Sequence, residues 1–247
     1  MKAYTRYYRR DRAATIEAQR GALRSAMEIL PIVFDLLPVR SMVDVGSGVC
    51  TWLSVAQELG VQDVLGVDGS YVSPDLLMIP VAQFHSHDLT TPLSLPRRFD
   101  LALSLEVGEH LPAAASSVYV ASLTGLAPVV LFSAAIPFQP GDHHVNCQWP
   151  EYWAALFAQH GFRPVDYIRK RVWSNPNVEY WYRQNTLLFV NQDALAASAR
   201  LREAQASTDL TQLSIVHPER YLEFWNKSLR DKMIYFLKRA VRGTWTP

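Results

Sequence analysis

Along the chain, short unbroken runs of apolar residues alternate with longer stretches in which apolar positions recur every three to four residues. The first pattern predicts strands covered on both faces, the second amphipathic helices. Residues 13–37 put Ile16, Leu23, Met27, Leu30 and Val33/Phe34 on one helical side, with Pro31 as a break or kink. A strand follows in SMVDVGSG (41–48), then a helix in CTWLSVAQELG (50–60) closed by Gly60. Further strands are predicted at 63–70, 81–89 (the weakest pattern), 99–111 and 127–137, the last with a proline at its exit. Residues 151–162 read as a helix with a glycine stop. VDYIRKRVW (165–173) and VEYWYRQNTLLFV (178–190) then read as two strands joined by the turn SNPN, and their mid-strand polar residues mark at least one as an edge or antiparallel strand. An exposed alanine-rich helix (193–206) and a final amphipathic one (219–242) close the chain.

Strands that alternate with helices in this way predict an α/β architecture. The sheet is doubly wound, mostly parallel, with an antiparallel strand near the C-terminal end. With no internal repeat or low-complexity linker, the simplest parse is a single domain over 1–247. Its core covers about 40–190, with a helical lid or extension at 1–37 and C-terminal helices at 191–247.

Composition narrows the picture. With 49% hydrophobic and 19% charged residues over 247 positions, the chain is expected to be soluble and globular. A net charge of +1 gives no reason for nucleic acid as an obligate partner, and the basic runs YYRRDR and IRKRVW read as solvated faces. The two cysteines are far apart and match neither a zinc site nor a disulfide framework. The charged N-terminus lacks an apolar signal core and no run spans a membrane, so a cytoplasmic location without membrane partners is expected.

The chemistry concentrates where strands end. In open parallel sheets, ligands bind beyond the carboxyl ends of the strands. Four of these ends carry acids: Asp44, Asp68, Asp88 and Glu106. Gly46 and Gly48 follow the first, where they let the backbone turn tightly and approach a ligand. Asp68 comes 24 residues after Asp44, the spacing of an acid that receives ribose hydroxyls. A dinucleotide fits poorly, because Thr51 stands where G-x-G-x-x-G needs its third glycine. The acid two residues before the first glycine suits a cationic ligand, such as the ammonium and sulfonium of S-adenosylmethionine.

VDVGSGVCTWL, VLGVDGS, HDL and FDLALSLEVGEHL, in this order, resemble the motif series of class I S-adenosylmethionine-dependent methyltransferases over roughly residues 40–190. The resemblance implies a Rossmann-like sheet and S-adenosylmethionine as cofactor. It also implies that Asp44, Gly46, Ser47 and Gly48 hold the cofactor's methionine end, Asp68 and Gly69 its ribose, and Asp88 with Leu89 its adenine. Leu105 and Glu106 then flank the amino acid and sulfonium, with Glu109 and His110 behind. The third small residue common in the family is Cys50 here.

PFQPGDHHVNCQWPEYW (137–153) resembles the HHVN-x-QWPxYW stretch of a bacterial branch linked with sugar or natural-product modification. In that fold the loop faces the methyl acceptor. His143 or His144 is the expected base, Asn146 the residue orienting the acceptor, and Trp153 a substrate contact. No metal is assigned, since Asp142, His143 and His144 are neighbours in sequence and chelate poorly together. On the strand expected at 180–185, Tyr180, Tyr182 and Gln184 share one face and Trp181, Arg183 and Asn185 the other. Tyr180 and Tyr182 are therefore candidate substrate or sulfonium contacts. YTRYYRR at the N-terminus could close over the cofactor, with Tyr4, Tyr7 and Tyr8 touching substrate.

The expected activity is methyl transfer to O or N of a small molecule or sugar. The same cofactor also serves cyclases or lyases of the azetidine-2-carboxylate type, which release methylthioadenosine, and a non-catalytic binding protein is a third reading. No Asn/Asp-Pro-Pro-aromatic tetrapeptide points to a flipped base. A small-molecule substrate and a monomer or homodimer are the expected partners, the last helix leaving room for a second copy.

Overall fold

The computed structural model describes residues 12–226, 228–233 and 237. Its centre is a sheet of seven strands: β1 (Ser41–Val45), β2 (Asp63–Asp68), β3 (Phe84–Ser86), β4 (Leu101–Leu105), β5 (Val129–Ser133), β6 (Arg163–Val165) and β7 (Leu187–Val190). They lie in the order β3-β2-β1-β4-β5-β7-β6. The first five are mutually parallel, while β7 runs antiparallel to both β5 and β6. Strand order reverses between β1 and β4, which opens a crevice above their carboxyl ends.

Ten α-helices are described: α1 (Arg12–Ala18), α2 (Arg20–Leu36), α3 (Thr51–Glu58), α4 (Ser116–Leu126), α5 (Pro150–Ala158), α6 (Arg169–Val172), α7 (Tyr180–Asn185), α8 (Gln192–Ala197), α9 (Ala199–Ala206) and α10 (Pro218–Asn226). The period-two alternation of buried strands divides their side chains between two cores. Met42, Leu101, Leu103 and Leu131 pack with Ile29, Leu30 and Val33 of α2 and Leu53 of α3. Val43, Val45, Ala102 and Phe132 pack with Tyr119 and Leu123 of α4 and Phe157 of α5. There Phe157 stacks on Phe189 at 3.9 Å between ring centroids, and Phe132 meets Phe157 edge-on at 5.4 Å.

Five expectations are corrected. Pro31 does not break α2, which runs through it. Pro31 and Met27, whose carbonyl loses its partner, both face solvent, and the buried face of Ala26, Ile29, Leu30 and Val33 holds the helix together. Over Arg20–Leu36 the expected lid is therefore a core helix. The strand expected at 165–173 shares only Val165 with β6 and is otherwise irregular or helix α6, while the strand expected at 178–190 shrinks to β7, preceded by helix α7. Tyr182, Arg183, Gln184 and Asn185 are buried in succession on helix α7, so the division of these side chains between two strand faces does not hold. The helix expected at 193–206 is two, α8 and α9, with the Ser198 side chain accepting from the Leu201 N–H. The last helix is interrupted at Ser228, whose hydroxyl accepts from the Asp231 N–H at 3.1 Å.

Candidate functional site

The turn after β1 is the floor of the crevice. Gly46 adopts φ +88° and Gly48 +54°, a region that side chains disfavour, and a Cβ on Gly46 would collide with Val107 after β4. The N–H groups of Gly46 and Ser47 donate to the Val67 carbonyl of β2 at 2.8 and 3.2 Å. Cys50 completes the turn in the left-handed region at φ +67°, its thiol filling the space over Gly66. Burial pushes that thiol up to about 12, so it stays a protonated packing group.

The acids at the strand ends differ in environment. Asp44 is 3% exposed, and burial, reinforced by the charge of Asp68, raises its pKa to about 7. Asp68 accepts from the N–H of Gly48 at 2.7 Å, from that of Gly69 at 2.6 Å and from the Tyr71 hydroxyl. Burial still outweighs those donors and raises its pKa. Exposed Asp88 caps its own turn through the N–H and hydroxyl of Thr90, which lower its pKa.

Glu106 leaves β4 at φ +56° with its carboxylate held by two amides. The Gln139 side-chain amide donates to Oε2 at 2.8 Å and that of Asn185 to Oε1 at 3.1 Å. Asn185 also donates to Gln139 at 3.0 Å, and the Gln184 side chain accepts from the His217 N–H at 2.8 Å. Burial raises the Glu106 pKa against these hydrogen bonds. A hydrogen-bonded carboxylate network of this kind, buried at its amides, fixes the position of its members.

Next comes a 3₁₀ turn, Gly108–His110, on which the loop 137–149 is pinned. The Glu109 carbonyl accepts from the N–H groups of Val145 and Asn146 at 2.8 and 3.0 Å. The Asn146 side chain, buried, donates to Ser116 Oγ at 2.9 Å and accepts from Gln148 at 3.0 Å. His144 points Nδ1 at the Gln139 carbonyl (3.2 Å) and Nε2 at Glu109 Oε1 (3.9 Å). Burial lowers the pKa of His144 and takes that of His110 to about 4.

These elements enclose a cleft of about 640 Å³. Gly46, Asp68, Gly69, Asp88, Leu89, Glu106 and His110 from the sequence reading line it, as does His143, exposed and left-handed at φ +56°. Asp44, Ser47, Gly48 and Leu105 stand directly beneath, in the turn or strand that carries those residues. Other expected contacts lie elsewhere. Trp153 is 2% exposed and packs against Phe132 and Gly108 in the core, so it cannot touch a substrate as expected. The shared-face reading of Tyr180 and Tyr182 fails with the strand. On α7, Tyr180 donates to Glu223 at 3.3 Å, and buried Tyr182 meets Trp52 edge-on at 5.2 Å, neither lining the cleft. Asn146 holds the loop and has no side-chain group facing an acceptor, which corrects its orienting role. Tyr4, Tyr7 and Tyr8 lie outside the described residues.

Sequence reasoning missed Gln139 and the part of Asn185 in holding Glu106. It also missed the association of Glu109 with His144. The amides of YWYRQN were the available signal, but a strand assignment sent them to the wrong faces.

The profile of a family described as a methyltransferase domain matches residues 8–160. No curated protein matches the chain. Among solved structures, the chain is similar to DesVI from Streptomyces venezuelae, with 17% identity and a TM-score of 0.55, over 77% of this chain and 97% of that one. It is similar to the sugar N-methyltransferase KedS8 from a Streptoalloteichus species, with 16% identity and a TM-score of 0.53, over 72% and 92%. It is also similar to the magnesium protoporphyrin IX methyltransferase ChlM of Synechocystis with bound SAH, with 17% identity and a TM-score of 0.52, over 70% and 84%. At these identities the likeness is one of fold.

Proposed function

The chain belongs to the methyltransferase-domain family, and on that premise we propose that it takes a methyl group from S-adenosylmethionine and transfers it to an oxygen or nitrogen of a small molecule or sugar, in natural-product or glycan modification. One observation carries the reading: the glycine turn after β1 and the carboxylates of Asp68, Asp88 and Glu106 meet in one cleft of about 640 Å³ at the switch point of the sheet.

The residues present fit the cofactor. Gly46 lines the cleft where a side chain would be driven into Val107, so bare backbone meets a ligand there, and buried Asp44 gains a counter-charge from an ammonium group. In this reading Asp44, Gly46, Ser47 and Gly48 hold the methionine end, and Asp68 with Gly69 the ribose once Tyr71 yields its place on the carboxylate. Asp88 and Leu89 flank the adenine. Leu105 ends β4 beside Glu106, whose carboxylate, clamped by Gln139 and Asn185, lies near the cationic centre. When bound, S-adenosylmethionine supplies an electrophilic methyl group on a sulfonium.

The chain's own work is then positioning, water exclusion and proton removal. His143, on the cleft wall, accepts the proton that the acceptor hydroxyl or amine gives up as its lone pair takes the methyl. His144 is turned away toward Gln139 and Glu109, which favours His143 as the base.

The test is incubation with S-adenosylmethionine and a panel of sugars, amino sugars and small phenols, resolving nucleoside and acceptor products by mass. S-adenosylhomocysteine together with an acceptor one methyl heavier is the expected result. Methylthioadenosine formed without any acceptor would overturn methyl transfer.

A further inference from the structure

Glu109 is the anomaly of the site. It is 0% exposed, and neither carboxylate oxygen has a hydrogen-bond partner. The N–H groups of Glu109 itself and Ala135 face it without closing a hydrogen bond. A buried carboxyl with no donor is costly, and such groups are normally paired or bound to a cation. Two imidazoles stand against it. One ligand atom from each of Glu109, His110 and His144 lies within 4.8 Å of the other two.

We propose that Glu109, His110 and His144 form a binding site for a borderline divalent cation of the zinc, cobalt or iron(II) kind, opening on the cleft through His110. Two nitrogens and one carboxylate oxygen suit such ions, whereas magnesium and calcium prefer all-oxygen shells. Three protein ligands leave coordination positions open, the pattern of catalytic rather than structural sites. The second shell is in place as well. The Nδ1 atoms of His144 and His110 sit 3.2 and 3.4 Å from the carbonyls of Gln139 and His143, which orients the rings. The two backbone hydrogen bonds onto the Glu109 carbonyl tie the loop carrying His144 to the turn carrying the other two ligands.

Magnitudes are compatible. Tetrahedral ligands about 2.1 Å from an ion stand about 3.4 Å apart. The 3.9 Å between His144 Nε2 and Glu109 Oε1 therefore has to close by about 0.5 Å, and the pairs with His110, bounded at 4.8 Å, by at most about 1.4 Å, within the reach of side-chain rotation. Binding of the ion does not depend on the methyl-transfer reading. Its use does: an acceptor oxygen in an open coordination position would ionise more readily, its proton passing to His143.

The experiment titrates the full-length, chelator-treated protein with cobalt(II) alone and follows the visible absorption of the bound ion. One equivalent should bind saturably, be displaced by zinc and raise the melting temperature. Glu109→Gln and His144→Ala should each weaken binding at least about tenfold, with His110→Ala as a third variant if either fails to fold. The proposal is overturned by the absence of saturable binding, or by equal affinity in all folded variants; Glu109 is then a neutral buried acid. S-adenosylmethionine binding, measured separately by equilibrium dialysis, distinguishes a failure of the cofactor reading from a failure of the metal site.

Discussion

At Gly46 two independent constraints coincide, a φ of +88° and the side chain of Val107 across the crevice. Gly46→Ala must strain the backbone and displace Val107, which also lines the cleft. The expected outcome is a loss of S-adenosylmethionine affinity of at least about tenfold by calorimetry, at a stability cost of roughly 1–2 kcal/mol. Unchanged affinity would remove the turn from the cofactor site. His143 presents a different case, because its φ of +56° is itself a position that asparagine tolerates. His143→Asn therefore keeps the loop and removes the proton acceptor. The turnover number should fall by about 10²–10⁴ with a hydroxyl acceptor while cofactor affinity stays unchanged. An equal loss in both quantities would mean that the residue shapes the loop instead. Both residues were legible in sequence, Gly46 by its place after an acid and a strand, His143 by its loop. Which of two adjacent histidines faces the cleft was not, because that choice is made by the Gln139 carbonyl and by Glu109, 35 residues before His144.

Helices and strands were readable wherever one face alone is buried or both faces are uniformly apolar. β1, β2, β4 and β5 fall inside the predicted runs, and α3 and α5 end near their closing glycines. The reading failed at α7 because four consecutive buried residues there are held by partners distant in sequence: Arg183 by Glu219 at 2.7 Å, Asn185 by Glu106, and Gln184 by His217. Local pattern carries no trace of such partners. At Pro31 the break, one of the two alternatives expected there, is overruled by the apolar face beneath it. That override leaves a measurable debt. Pro31→Ala restores a backbone donor to the exposed carbonyl of Met27 and should stabilise the chain by about 1–2 kcal/mol, less than the full ~3 kcal/mol helix penalty because the unfolded chain gains freedom. A rise in melting temperature checks this, and no rise or a fall would show that α2 is already relaxed around the proline.

Asp44, Asp68 and the pair Glu106 and Glu109 belong to three separate strand ends, yet the doubly wound topology gathers them into one region, and burial raises the pKa of each. For Asp44 the rise runs from 3.8 to about 7. Between those values the folded chain holds a proton that the unfolded chain has released, so the free energy of unfolding falls as pH rises. The stabilisation is complete below 3.8 and gone once pH has passed about 7, and the other three acids act in the same direction. A cationic cofactor reverses the preference, since its ammonium group favours ionised Asp44 and binding expels the proton. The ligand-free protein should therefore melt at lower temperature near pH 8 than near pH 6, while the upward shift produced by S-adenosylmethionine grows over that range. Asp44→Asn should flatten the Asp44 part of both trends. If the cofactor-induced shift is the same at both pH values, Asp44 does not receive the charged end, and the cleft holds its ligand by the glycine turn and the remaining acids alone.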